Sequence, residues 1–429
     1  MKTSGIAATL AQRALEVFPA GSNGEFNLPP ELVRIIVSGS GCRLRDEHDR
    51  ELLDFSMGWG SVLPGHAHPS IVKAVQLRAP LGTNFAFPSD EAVRLADELC
   101  RLSPACERVR FCASGTEATM YCLRLARAFS RRHLVLKFEG AYHGSNDEGL
   151  ASLFPTGTAA FPTPEASSSG IACSSTLVAP YNDLAATSAI IAQHAHELAA
   201  VIVEPLHRCL PPIDGFLAGL RDVCDQHGVL LVFDEVVTGF RLAYGGAQER
   251  YGVVPDLVAY GKALGGGLPI GAFGGRAEIM DWLREDRAGG RDYVWSASTL
   301  GGNPVSCAAA NAALAIYRQP ETYPYLFSLG EYFRDGLART VRDAGYVGQV
   351  IGDGPLGQIV FSAFAIHDYR STIRGDRTLA RALMLGLCRH NVFLNPMGTK
   401  LYLSLAHTRD ECDELFERIA AVLAELAAV

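Results

Sequence analysis

LLVFDEVVTGFRLAYGGAQERYGVVPDLVAYGKALGGGLPIGAFGG, residues 230–275, is the stretch that decides the fold. It begins inside one short apolar run, 229–233, and contains a second, 257–260. Runs of four or five β-branched and aromatic residues bounded by turn residues read as strands buried on both faces. The first stops at Asp234 and the second at Gly261-Lys262. A carboxylate and an amine thus each stand at the end of a buried strand.

Three more runs of the same kind precede it: 108–112, 134–138 and 200–203. Helical patterns lie between them at 117–130, 184–199 and 216–227, the last stopping at His227-Gly228, where glycine supplies the left-handed cap. Strands alternating with helices predict an α/β fold, a mainly parallel sheet flanked by helices. The chain has 429 residues, too many for one ordinary core. Residues 69–311 are expected to form a large cofactor-binding domain. Residues 312–429 turn helical and then carry short strands at 358–364 and 400–405 and a final helix at 409–428. Residues 1–68 have similar short strands at 43–45 and 52–55, so a small α+β domain built from both chain ends is expected. The Pro- and Ser-rich stretch 155–176 reads as a solvated surface loop or an active-site lid.

Composition removes several function classes. Lys+Arg 38 against Asp+Glu 46 gives a net charge of −8 with no basic block, so neither nucleic acid nor an anionic membrane is an expected partner. The 11 cysteines form no C-x-x-C pair, which points to a reducing compartment. Gln12, Arg13 and Glu16 interrupt the first apolar stretch too early for a signal peptide, and a short amphipathic helix is expected there. Cytoplasmic residence follows as the expectation. His66-Ala-His68 has no third metal ligand nearby, and GGGLPIGAFGG is no dinucleotide fingerprint.

Ligands of open α/β sheets sit at the carboxyl ends of the strands. There the sequence places Ser114-Gly115-Thr116 before a helix, Tyr142-His143 after a second strand, Glu204 at the end of a third, then Asp234 and Lys262. Each has a plainer use alone: a cap, a turn, a solvated lysine. Together they are the parts that pyridoxal 5′-phosphate (PLP) chemistry needs. Lys262 can form a Schiff base with its aldehyde, and Asp234 can keep its ring nitrogen protonated. Backbone N–H groups at Ser114, Gly115 and Thr116 can hold the phosphate. Tyr142 can stack on one face of the ring and Val236 can pack on the other.

At these residues the chain resembles the class III aminotransferases of PLP fold type I, and among them glutamate-1-semialdehyde aminomutase and its aminotransferase relatives. The resemblance rests on GHAHP (65–69), RVRFCASGTEATMYCLRLARAF (108–129), KFEGAYHG (137–144), VIVEP (201–205), the stretch 230–275, TLGGNP (299–304) and LSLAHT (403–408). It implies the same roles for Lys262, Asp234, Val236, Gly115, Thr116 and Tyr142, and adds Glu204 to the cofactor-binding set. It implies that Thr299 serves the phosphate of a neighbouring subunit, hence a homodimer with shared sites, and that Trp59 faces substrate. The aminomutases carry an N-S-P-V-R stretch near the N-terminus; here Gly21-Ser22-Asn23-Gly24-Glu25 stands instead. Glu25 is therefore a candidate substrate residue, reading a donor group where relatives bind a carboxylate. LHRCLPPIDGF after Glu204-Pro205 departs from the aminomutases as well. The expected function is transamination between a small-molecule amino donor and a keto or aldehyde acceptor. An aminomutase, another PLP reaction on the same fold such as epimerisation or decarboxylation, and a non-catalytic PLP-fold binding protein are the alternatives.

Overall fold

The computed structural model describes residues 9–24, 26–395 and 400–428. Its strands in chain order are β1 (Ile36–Ser40), β2 (Arg43–Asp46), β3 (Glu51–Asp54), β4 (Arg108–Cys112), β5 (Leu134–Phe138), β6 (Thr176–Ala179), β7 (Leu198–Val203), β8 (Leu230–Asp234), β9 (Leu257–Tyr260), β10 (Gly271–Gly275), β11 (Gln349–Ile351), β12 (Leu356–Val360), β13 (Val392–Phe393) and β14 (Lys400–Tyr402).

The central sheet runs β4-β10-β9-β8-β7-β5-β6. Pairs β5–β6, β5–β7, β7–β8 and β8–β9 are parallel, and β10 alone runs against its neighbours β9 and β4. The carboxyl ends of β4, β5, β7, β8 and β9 thus share one edge. Strand residues alternate between two buried faces, as a sheet covered on both sides requires. Val135, Ala200, Ile202, Val232 and Ala259 pack under the helix Gly115–Ser130, through Ala118, Cys122 and Leu125. Leu136, Val201, Val203, Leu231, Phe233 and Val258 join the opposite core, with Ile191, Leu220 and Cys224 from the helices Leu184–His194 and Phe216–His227. Gly228 caps the latter with φ 59°, the left-handed conformation expected of it.

Two smaller sheets complete the chain. In one, of order β1-β2-β3-β13, β13 lies parallel to β3 with Val392 opposite Leu53, so both chain ends build it. In the other, β12 is paired antiparallel by β11 and β14. A third core, including Phe55, Phe333, Leu356, Leu401 and Leu415, fills the space beneath them. The N-terminal helix is Leu10–Val17. The expected helix 184–199 ends at His194, because Leu198 already starts β7. The 155–176 stretch carries no strand or helix except that Thr176 opens β6. Among the described residues no helix is long and apolar enough to cross a membrane.

Candidate active site

The shared strand edge gathers most of the residues singled out in the sequence. Asp234 ends β8 and is 5% exposed. One carboxylate oxygen lies 2.8 Å from His143 Nδ1, and the other accepts the Val236 N–H at 3.0 Å. His143 is buried, and its Nε2 has no partner among the described residues.

Lys262 follows β9 with φ 42°. A non-glycine residue held there costs about 1–3 kcal/mol and persists only where its surroundings fix it. Part of the residue's surface stays open, yet its amine is removed from bulk water, and this desolvation lowers its pKa. Tyr402, Asp234 and Glu204 push it back up, while Lys400 pushes it down. Tyr402, Asp234, Glu204 and Lys400 thus all lie near the amine.

Ser114 caps the helix Gly115–Ser130, its Oγ accepting the Glu117 N–H at 3.2 Å. The first N–H groups of a helix have no partner within it and suit an anion. Gly115 is dictated by packing: a Cβ there would stand 2.8 Å from both γ-methyls of Val236. A Cβ on Gly261 would likewise come 3.3 Å from Val236 and 3.4 Å from the Gly115 Cα. The helix start, the lysine turn and the expected ring-packing residue therefore meet in one spot. This cradle, with the buried carboxylate and the orphaned His143 nitrogen beside it, fits PLP.

The segment after β5 is fastened to the same place. Tyr142 donates its N–H to Glu204 Oε1 at 2.8 Å, and its hydroxyl lies 3.2 Å from Ser145 Oγ. Ser145 N–H reaches Thr116 Oγ1 at 3.3 Å, and Thr119 Oγ1 donates to the His143 carbonyl. Beneath them Lys137 is fully buried, donating to the carbonyls of Ala141, Gly149 and Ala151 at 2.9, 2.9 and 2.5 Å. Burial lowers its pKa to about 7. Glu204 accepts a second backbone N–H, from Arg208, at 3.0 Å. Burial alone would raise its pKa, but Arg208, His207, His143 and Lys400 hold it at about 2, so it is a carboxylate.

Trp59 is half-buried, with φ 60°, and packs edge-on against Phe26 at 5.5 Å. The next residue, Gly60, sits so close to Tyr402 that a Cβ would be 2.5 Å from its ring. This contact places the Trp59 turn beside the surroundings of Lys262. Thr299 is exposed, its carbonyl accepting from Asn84 Nδ2 at 3.0 Å, and its hydroxyl makes no hydrogen bond among the described residues. Glu25 lies outside the described residues. Arg34 is engaged by Asp46 and by Cys388 and Asn391. His66 pairs with Asp54 at 2.7 Å and His68 caps the helix Pro69–Arg78, and no cluster suited to a metal occurs among the described residues.

Two features escaped the sequence. Lys137 sits mid-strand in an apolar run, with no local sign that it reaches three carbonyls. Lys400 crosses 192 positions to the Arg208 carbonyl, at 2.9 Å.

Comparison with known proteins bears on this arrangement. The family described as aminotransferase class-III matches residues 28–423. A glutamate-1-semialdehyde 2,1-aminomutase of Thermomicrobium roseum is 39% identical, over 100% of this chain and 99% of its own. Among solved structures, an omega-transaminase from Sphaerobacter thermophilus superposes with a TM-score of 0.91 at 33% identity, covering 99% of this chain and 98% of its own. A glutamate-1-semialdehyde-aminomutase variant from Pseudomonas aeruginosa PAO1 in complex with PMP does so at 0.83 and 26% identity, covering 92% and 88%.

Proposed function

The chain belongs to the class III aminotransferase family, with PLP fold type I and PLP as its cofactor, and from that premise we propose that it moves amino groups of small molecules at Lys262. The observation that carries this reading is the meeting of Gly115, Gly261 and Val236 beside the buried Asp234. When bound, PLP supplies an aldehyde that takes up the amine and a ring that draws electrons from the adjacent carbon.

The chain's own residues do the rest. The N–H groups of Gly115 and Thr116, with the Thr116 hydroxyl, would hold the phosphate. Asp234, anchored by His143 and the Val236 N–H, would keep a proton on the ring nitrogen. Val236 and Tyr142 would confine the ring between them. Desolvation leaves Lys262 a better base near neutral pH than an exposed lysine. It can then take a proton from the substrate carbon and return it elsewhere. Glu204 stays ionised and tethers the Tyr142 turn.

Of the two forms of this chemistry, rearrangement within one molecule is the better supported. Full-length relatives at 36–39% identity carry the aminomutase name, and they favour it over the transamination read from the sequence. Transfer between two molecules remains the second reading, because the omega-transaminase neighbour superposes at 0.91. Borohydride reduction of the PLP-loaded protein should attach the cofactor to the peptide holding Lys262; attachment to another lysine would remove the reading. Incubation with glutamate-1-semialdehyde alone then separates the forms. Conversion without an amino donor supports the aminomutase, and turnover only with both donor and acceptor supports the transaminase.

A further inference from the structure

Arg241 has no exposed surface and forms no ion pair among the described residues. A charge taken out of water without an opposite partner is costly, and this desolvation pulls the pKa of the guanidinium down. An apolar side chain of similar volume would fill the space without that cost. The guanidinium differs from such a side chain in what it can hold.

It joins three chain segments. Through Nε it donates to the Val237 carbonyl at 3.0 Å, in the turn that follows Asp234. Through Nη2 it donates to the Gly60 carbonyl, 181 positions away. Its Cζ lies 5.4 Å from the centre of the Tyr402 ring on β14, a cation–π contact that gains strength where water is excluded. Nη1 has no hydrogen-bond partner among the described residues. The base of this clamp is firmly held. The neighbouring Phe240 is fully buried, its carbonyl accepts the Tyr323 hydroxyl at 3.0 Å, and its ring packs on Tyr260 at 5.0 Å.

The segment gripped at Gly60 is strained. Met57, Gly58, Trp59 and Gly60 have φ of 47°, 58°, 60° and 80°. Residues other than glycine stay in that region only where their surroundings fix them, and such strain gathers at functional sites. At the front of the turn the buried Asp54 carboxylate accepts the N–H groups of Ser56 and Met57 at 2.7 and 3.0 Å. At its end stands Arg241. Cα atoms of the turn come within 8 Å of those of the segment Lys262–Gly265 and of β14. Trp59 is thus carried beside the surroundings of Lys262 on a turn pinned at both ends.

We propose that Arg241 is a positioning residue: it fixes the strained turn Met57–Gly60 against Tyr402 and so sets where Trp59 stands beside Lys262. The assignment rests on the amino-group chemistry proposed at Lys262, because there the indole has a substrate to orient. Released from Arg241, the turn can relax toward ordinary φ values, and Trp59 moves with it.

The first test reads Trp59 and needs no substrate. Acrylamide quenching of tryptophan fluorescence is measured in the PLP-loaded protein, and the same measurement in Trp59→Phe subtracts the share of Trp282 and Trp295. In Arg241→Met the Trp59 share should become more open to quenching, while borohydride still attaches the cofactor to Lys262. Arg241→Lys keeps the charge and a donor for one carbonyl, and should recover part of the protection. Leu220→Ala, a cavity under the helix Phe216–His227, controls for general loosening and should leave Trp59 as in the wild type. Unchanged quenching of Trp59 in Arg241→Met, or an equal rise in Leu220→Ala, would overturn the proposal. The second test uses glutamate-1-semialdehyde. Arg241→Met should raise its half-saturating concentration about tenfold, with a smaller loss of maximal rate. In a Trp59→Ala background the same substitution should add nothing, since a residue acting through another has no effect once that other is gone. Additive losses count against Arg241. If the wild type, labelled at Lys262, does not convert this compound, the rearrangement reading falls and quenching alone decides on Arg241. If borohydride fails to label Lys262, the proposed function falls on its own evidence.

Discussion

Replacing Lys137 by methionine keeps the aliphatic stem and removes the ammonium. The variant leaves the Ala141 and Ala151 carbonyls without their donor, while Gly149 keeps the His143 N–H at 3.4 Å. Two orphaned buried carbonyls cost about 1–3 kcal/mol each, so roughly 2–6 kcal/mol in all. Against this stands the strain of burying the charge. A fall in pKa from 10.5 to about 7 amounts to about 5 kcal/mol at about 1.4 kcal/mol per pH unit. The two nearly cancel at pH 7, so global stability should change little there. The loop should respond more than the fold, because residues 141–151 carry Tyr142 and His143. Loosening it should weaken PLP binding by about tenfold, the loss of one hydrogen bond's worth of fixed geometry. The pH dependence has a definite sign. The folded pKa lies below the unfolded one, so between pH 7 and 10.5 the unfolded chain binds more protons and stability rises with pH. The methionine variant lacks this rise. Urea unfolding at pH 7, 8 and 9 should show the wild type gaining on the variant by about 1.4 kcal/mol per pH unit. A constant difference across that range, or wild-type PLP retention in the variant, would refute the reasoning.

Asp234→Asn preserves volume but replaces the carboxylate beside His143, the group proposed to hold the ring nitrogen's proton, with a neutral amide; catalytic rate should fall by about 10²–10³-fold with a smaller loss of PLP affinity, and a near-normal rate would show that another group protonates the ring. Thr299→Ala should weaken cofactor retention if the threonine serves a second subunit, and mixing it with Lys262→Ala protomers should restore one working site per heterodimer. Activity in such mixtures no higher than the sum of the separate variants argues against sharing. Gly115→Ala forces its new methyl against Val236, from 2.8 Å, so PLP binding should drop while unfolding stability of the cofactor-free chain changes by no more than about 1–3 kcal/mol; unchanged binding, measured by equilibrium dialysis, would show that Val236 can retreat.

The sequence was most legible where burial and turn chemistry coincide. β4, β5 and β9 stand where their apolar runs end on glycine, serine or acid. The helix drawn over 184–199 ran too far because Leu198–Val203 is apolar throughout, and periodicity cannot separate a strand buried on both faces from a buried helix. β10 was invisible for the opposite reason. GAFGG has almost no side chains to show a pattern, yet it needs its glycines: a Cβ on Gly271 would stand 2.2 Å from the Ser114 carbonyl, and one on Gly275 2.4 Å from that of Asp256. The glycine-rich stretch is a strand whose backbone other backbones touch. At the site, residues following strands could be named in advance because the fold class says where strand ends gather. Lys137 and Lys400 could not, since their partners are chosen by tertiary geometry that leaves no mark in neighbouring residues.

The pairing of β3 with β13 has a consequence for how the chain is made. Leu53 and Val392 are about 340 positions apart, and at roughly 5–20 residues per second a ribosome needs on the order of 20–70 s to travel between them. For that time β3 hangs at an open sheet edge with Leu52 and Leu53, both destined for burial, still exposed to other nascent chains. Every strand of the central sheet, from residue 108 to residue 275, is synthesised within the same interval. Vectorial synthesis therefore lets the central sheet assemble first and leaves the sheet that pairs β3 with β13 to close last, so removal of the segment carrying β13 would strand an otherwise folded chain with a sticky edge.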